Sequence, residues 1–214
     1  MKYLYRIVNI LLAILMFPVV ILSDLVAFRM STSFIDEVGL EESFSIKFII
    51  DVFTGKEEFW HTMLIENSEG TAMTWPEGLD PIKGRLITFV VCFALVLVAM
   101  LFIIVWSCCS NKRIPVVVAS VFSLISTIVM IACFNSAATL IVDGTVNLIG
   151  ALSSSVLGNL VSMFVGVDGL RLGGFHNGMI FVIIGLLVWT GAYYLIELGD
   201  TPEEKAAAQA KRKK

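Results

Sequence analysis

The chain has 214 residues, 57% of them apolar and only 15% charged, with a mean hydropathy of +0.90. Ordinary water-soluble domains are about 45–50% apolar and 25% charged, so this composition excludes that class and points to a membrane protein. The net charge of −3 hides an uneven distribution, because twelve Asp and Glu but only three Lys and Arg fall between Asp24 and Asp80.

Met1 to Arg6 is a short basic leader, with Tyr3 and Tyr5 at headgroup height. The apolar run that follows predicts a first span over about 4–23. A cleaved signal peptide would need small residues before its cut, and Ile21 is a poor −3 residue for a cut before Asp24. The run therefore reads as an uncleaved helix. Pro18 loosens its outer end by removing a backbone donor. Asn9, the strongly polar group near its inner end, reads as an interhelical hydrogen-bonding or headgroup residue.

The acidic stretch 24–80 predicts a helical outer loop. Ile46, Ile49, Ile50 and Phe53 follow the i, i+3, i+4, i+7 pattern of an amphipathic helix. Ser43 or Ser45 caps its start and Gly55 supplies a left-handed stop. A second short helix is expected from Glu57 to Ile65. Asp80 reads as an N-cap and Pro81 as the first helical residue.

Two long runs without charge follow, Leu86 to Cys109 and Ile114 to Val142, each longer than the 20 or so residues a bilayer needs, and they predict spans over 81–109 and 114–142. Only Ser110 to Arg113 separates them, so they must be antiparallel neighbours. At about 1.5 Å per residue each reaches roughly 43 Å, beyond a hydrocarbon core of about 30 Å. The hairpin is therefore expected to tilt or to rise above the outer surface.

The segment 143–176 is rich in Gly and Ser. Gly150, Ser154, Gly158, Ser162 and Gly166 form an unbroken small-xxx-small series, the pattern that lets membrane helices approach closely. A helix or re-entrant hairpin is expected there, followed by an irregular glycine-rich stretch from Asp168 to Asn177. The last span covers about 177–198, with Gly178, Gly185 and Ala192 one heptad apart as a packing seam. The tail 201–214 is a basic helix able to hold anionic headgroups by charge.

Four spans leave too little chain for a separate soluble domain with its own core. The positive-inside rule puts Lys2, Arg6, Lys112, Arg113 and the Lys211-Arg212-Lys213-Lys214 cluster in the cytoplasm. Both termini are then inside and both larger loops outside. Trp106, Trp189, Tyr193 and Tyr194 are expected as anchors at the inner interface. The fold expected is an all-α four-helix membrane bundle with a helical extracytoplasmic cap, in a plasma or bacterial inner membrane.

Candidate chemical groups are sparse. The span interiors lack Asp, Glu, Lys, Arg and His, the groups that mark ion-coupled carriers and voltage sensors. Glu58 and His61 share a helical face, and with His176 they are weak candidates for a metal site. Di-metal carboxylate bundles need two Glu-x-x-His units and two more Glu, so no metal is assigned. Nucleophile-elbow, zincin, Walker and dinucleotide motifs are missing, so no catalytic residue and no cofactor is assigned. Ala119, Ser120, Ser123, Ser126 and Thr127 make a small face on the third span, which reads as a packing face, with a narrow polar path as the alternative. Cys108 and Cys109 beside Lys112 and Arg113 suit S-palmitoylation in a eukaryotic host.

With a large first and a smaller second outer loop, the outline resembles claudin-type and tetraspan four-helix proteins. Those families fix the outer loop with cysteines, and none lies between Asp24 and Asp80, so no function or residue is carried over. The function expected is a non-enzymatic membrane subunit or scaffold that binds a membrane-protein partner or copies of itself, with lipid but no nucleic acid as a partner. The alternatives are a channel or permease component with an acidic outer vestibule, and an outer-face metal-dependent enzyme.

Overall fold

The computed structural model describes residues 2–32, 35–56, 77–146 and 165–199. Four long helices dominate: α1 (Lys2–Leu22), α3 (Asp80–Cys109), α4 (Ile114–Val142) and α5 (Phe175–Gly199). A shorter helix, α2 (Ile46–Phe53), lies between α1 and α3. All four long helices are long and apolar enough to cross a membrane, so the chain is a multi-pass membrane protein.

The helices form a four-membered ring. α1 packs on α3 and α5, and α4 packs on the same two from the opposite corner. Tyr5, Asn111 and Tyr193 meet at one end of the bundle, here called the turn end. Asp24 and Gly173 meet at the other, the sheet end. Neighbours in the ring are thus antiparallel, while diagonal α3 and α5 run in the same direction.

The core is filled by flexible and branched side chains. Met16, Met100, Ile103, Met130, Met179, Ile183 and Leu186 have no exposed surface. Large apolar residues such as Val98, Val105, Val118 and Phe181 instead point outward, as side chains facing lipid tails do. Gly178 and Gly185 lie on the face of α5 turned toward α1. A Cβ on Gly178 would fall on Val19 Cγ1, while one on Gly185 would sit 3.8 Å from Leu12.

The expectation of a purely helical cap needs correction. Asp24–Thr32 (β1), Ile35–Ser45 (β2) and Val165–Leu172 (β3) form an antiparallel sheet of order β2-β1-β3. Ala27 sits opposite Ser43 on one side and Arg171 on the other. Gly166 pairs with Ser31, so the small-residue series does not continue as helix to its last member. The glycine-rich stretch from Asp168 is likewise ordered: it completes β3 and leads through Gly173 and Gly174 into α5.

Local signals explain the elements that were anticipated. Ser45 Oγ accepts a 3.1 Å hydrogen bond from Phe48 N–H, capping α2, and Gly55 ends it at φ 76°. At the start of α3, Asp80 is the first helical residue rather than the cap. Leu79 holds the cap position at the end of a 3-10 turn (Glu77–Leu79) and supplies no side-chain cap hydrogen bond. The predicted helix from Glu57 to Ile65, the small residues from Gly150 to Ser162 and the basic tail lie outside the described residues.

Candidate functional site

Three regions combine polar chemistry with defined geometry: the sheet end, the turn end, and a buried polar band between the helices near the turn end.

The sheet is fixed onto the bundle rather than tethered to it. Leu25, Leu172 and Ile46 pack against the main core, while Val167 and Leu170 pack on Leu79, Ile82, Ala137 and Ile141 at the ends of α3 and α4. Gly173 closes the joint. Its N–H donates to Leu25 O at 2.9 Å, and any Cβ there would run into the Asp24 backbone. His176 Nδ1 lies 2.6 Å from Gly173 O, so this ring nitrogen is engaged by the turn that starts α5. Arg85 on α3 donates to Ser136 Oγ at 2.8 Å and to Pro81 O at 2.6 Å. No strand among the described residues pairs with the outer edge of β2 or of β3.

Of the weak metal candidates, His176 is occupied by this turn, and Glu58 and His61 lie outside the described residues. Among the described residues no group of three or more His, Cys, Asp and Glu could hold a metal.

At the turn end the first, second and last spans are joined. Arg6 Nε donates to Asn111 Oδ1 at 2.5 Å, and its Nη1 lies 3.5 Å from Cys108 O. Tyr5 stacks on Tyr193 with centroids 4.5 Å apart. The Arg113 guanidinium lies 5.1 Å from the Tyr193 ring and 5.2 Å from Tyr194. Trp106 Nε1 donates to Lys112 O at 3.1 Å. The expected anchors therefore divide. Trp106 and exposed Tyr194 stand at the periphery, whereas Tyr193 is buried and the Trp189 indole nitrogen points into protein. Cys108 and Cys109 are both exposed at this end.

The small face of α4 is buried throughout, from Ala119 through Ser120, Ser123 and Ser126 to Thr127. Ser123 donates to Ala119 O at 2.8 Å and Thr127 to Ser123 O at 2.9 Å. Hydroxyls bonded to their own helix have no donor left for a solute. Ser120 differs, because it is fully buried and has no partner among the described residues. The same is true of Tyr5 Oη, both polar atoms of the Asn9 side chain, Ser107 Oγ, Trp189 Nε1 and Thr190 Oγ1. The sequence marks Tyr5, Asn9, Ser120 and Trp189 within this set, but not Ser107 or Thr190. A lone hydroxyl in an apolar run is too common to stand out; only the assembled bundle shows that these residues face inward.

No protein family matches the chain, and no characterised protein or solved structure is similar to it.

Proposed function

We propose that this protein is a non-enzymatic membrane subunit or scaffold that recognises a partner, or a second copy of itself, through its sheet end. The observation that supports this reading is the sheet itself. It is built from two segments far apart in sequence and packed onto the ends of α3 and α4 by Val167 and Leu170. The outer edges of β2 and β3 carry backbone donors and acceptors, the means by which an extended segment adds to a sheet. In this reading the sheet end is extracytoplasmic, and the basic turn end with both termini is cytoplasmic by the positive-inside rule. The membrane is a plasma or bacterial inner membrane.

Cross-linking with mass spectrometry in native membranes tests the proposal. A specific membrane-protein partner, or a second copy, linked through 24–56 or 165–172 is the expected result. Links confined to the turn end, or none from a protein present at high density, would overturn it.

A channel or permease component is the second reading, and the unpartnered polar atoms near the turn end favour it. Against it, Met16, Met100, Met130 and Met179 are fully buried in the core and fill the space a continuous path would need. Salt-sensitive cation flux into liposomes holding the purified protein would support the channel. Sealed liposomes would leave the scaffold reading.

A further inference from the structure

The unpartnered polar atoms lie on all four membrane-spanning helices, and the contacts between helices fix their relative heights. Three contacts set the register of α1 against α5: Tyr5 on Tyr193, Leu12 beside Gly185, and Val19 beside Gly178. One turn inward from Tyr5, that register brings Asn9 opposite Trp189 and next to Thr190. The reach of Arg6 to Asn111 and Cys108 O sets α1 against α3, and the same step brings Asn9 opposite Ser107. A third contact agrees independently. Phe93 and Phe175 meet edge to face at 6.0 Å on parallel α3 and α5, and Ser107 and Trp189 each lie fourteen residues further along. Asn9, Ser107, Trp189 and Thr190 therefore share one level. Tyr5 lies a turn toward the end of the bundle, and Ser120 on α4 about a turn deeper.

Asn9 and Ser120 have no exposed surface, and Tyr5, Ser107 and Thr190 have 2% or less. Away from water, a donor or acceptor left unmade carries its full desolvation cost. A serine or threonine hydroxyl can turn to its own helix, as Ser123 and Thr127 do. The Asn9 amide has two donors and a carbonyl to satisfy, and the Trp189 indole can only donate. None of the six residues is charged, so nothing in the set balances the charge of an ion taken out of water. Both donors and acceptors are present, and on the deeper side Met16, Met100, Ile103 and Leu186 are fully buried. The ligand must be small, uncharged, and able to donate and accept hydrogen bonds.

We propose that Asn9, Ser107, Trp189 and Thr190, with Tyr5 and Ser120 above and below, form a hydration site inside the membrane, holding a small cluster of water centred on the Asn9 amide. Buried water typically makes about three hydrogen bonds to polar groups that otherwise have none, and this set provides them from four helices. The site joins the helices through a shared, exchangeable ligand where direct packing is poorest in polar partners.

Nuclear magnetic resonance on the full chain in lipid nanodiscs, labelled at asparagine side chains, tryptophan indoles and methionine methyls, tests the proposal. The Asn9 and Trp189 signals are identified by their loss in Asn9→Leu and Trp189→Phe. Magnetisation transfer from water to Asn9 Nδ2 and Trp189 Nε1 is expected to be at least threefold stronger than to the methyls of Met16, Met100 and Met179. Asn9→Leu should at least halve the transfer to Trp189. If Asn9→Leu does not fold, Ser107→Ala provides the same readout with a smaller change. Transfer to Asn9 and Trp189 no stronger than to the methionines would overturn the proposal, as would unchanged transfer to Trp189 in both variants. A signal abolished by extracting a co-purifying organic solute would overturn the assignment to water.

Discussion

Tyr5 and Tyr193, 188 residues apart in sequence, stack at 4.5 Å with ring planes 26° apart, and the Arg113 guanidinium lies over the second ring. One contact thus ties the first span to the last, and the cation ties both to the α3–α4 turn. Aromatic pairs contribute about 0.5–1.5 kcal/mol beyond the area they bury. A double-mutant cycle of Tyr5→Leu and Tyr193→Leu should show a coupling of about that size. Unfolding by graded denaturing detergent provides the measurement, and strictly additive losses would show that the stack carries no energy of its own. Arg113→Gln should cost about 0.5–1 kcal/mol, and less once Tyr193 and Tyr194 are both leucine.

The two glycines on the inner face of α5 should respond differently to the same change. Gly178→Ala places a methyl on Val19 Cγ1, whereas Gly185→Ala meets Leu12 at an ordinary contact distance of 3.8 Å. Overpacking of this kind typically costs about 1–3 kcal/mol. Gly178→Ala should fall in that range and be relieved by Val19→Ala, with Gly185→Ala close to neutral. Equal effects at the two positions would contradict the described α1–α5 register.

Ala27 occupies the central strand and is paired on both sides. Proline there removes a ladder donor from a strand that has no free edge. Ala27→Pro should release the sheet while leaving the four spans inserted. Hydrogen exchange should show lost protection over 24–45 and 165–172 and little change over 85–105. Protection lost together across sheet and helices would mean that the two fold as one unit.

The hydroxyls of Ser123 and Thr127 are bonded to their own helix. Side-chain hydrogen bonds in membrane bundles average about 0.6 kcal/mol, so Ser123→Ala and Thr127→Val should each cost about that or less. Neither variant should alter solute flux into liposomes. A change in flux would return this face to the list of candidate paths.

The helical part of the fold was legible because a span announces itself locally. The uncharged runs Leu86–Cys109 and Ile114–Val142, each with a proline at or just before its start and polar residues after its end, leave little choice, and α4 covers 114–142. The amphipathic spacing, Ser45 and Gly55 likewise specify α2 without reference to the rest of the chain. The strands give no such signal. β2 carries Asp36, Glu37, Glu41 and Glu42, residue types depleted in strands, and Glu42 interrupts the alternation of Val38, Leu40 and Phe44. β3 contains Gly166 and Gly169, which weaken a strand on local grounds. Their partner is β1, and Val26 meets Leu172 only across the whole length of α3 and α4. The polar band was illegible for the same reason, since only the assembled bundle buries Asn9, Ser107, Ser120 and Thr190.

The position of β3 in the chain also sets an order of assembly. When Asp24–Thr32 and Ile35–Ser45 have been made, the inner strand can pair on one side only, because its second neighbour begins at Val165. At about 5–20 residues per second, the intervening 120 residues take roughly 6–24 s to synthesise, during which two more helices must enter the bilayer. Until then β1 presents a raw edge to whatever surrounds it. Closing that edge reports that the central hairpin has been threaded in both directions, so a chain stalled after its second span would be marked by the exposed strand it leaves behind.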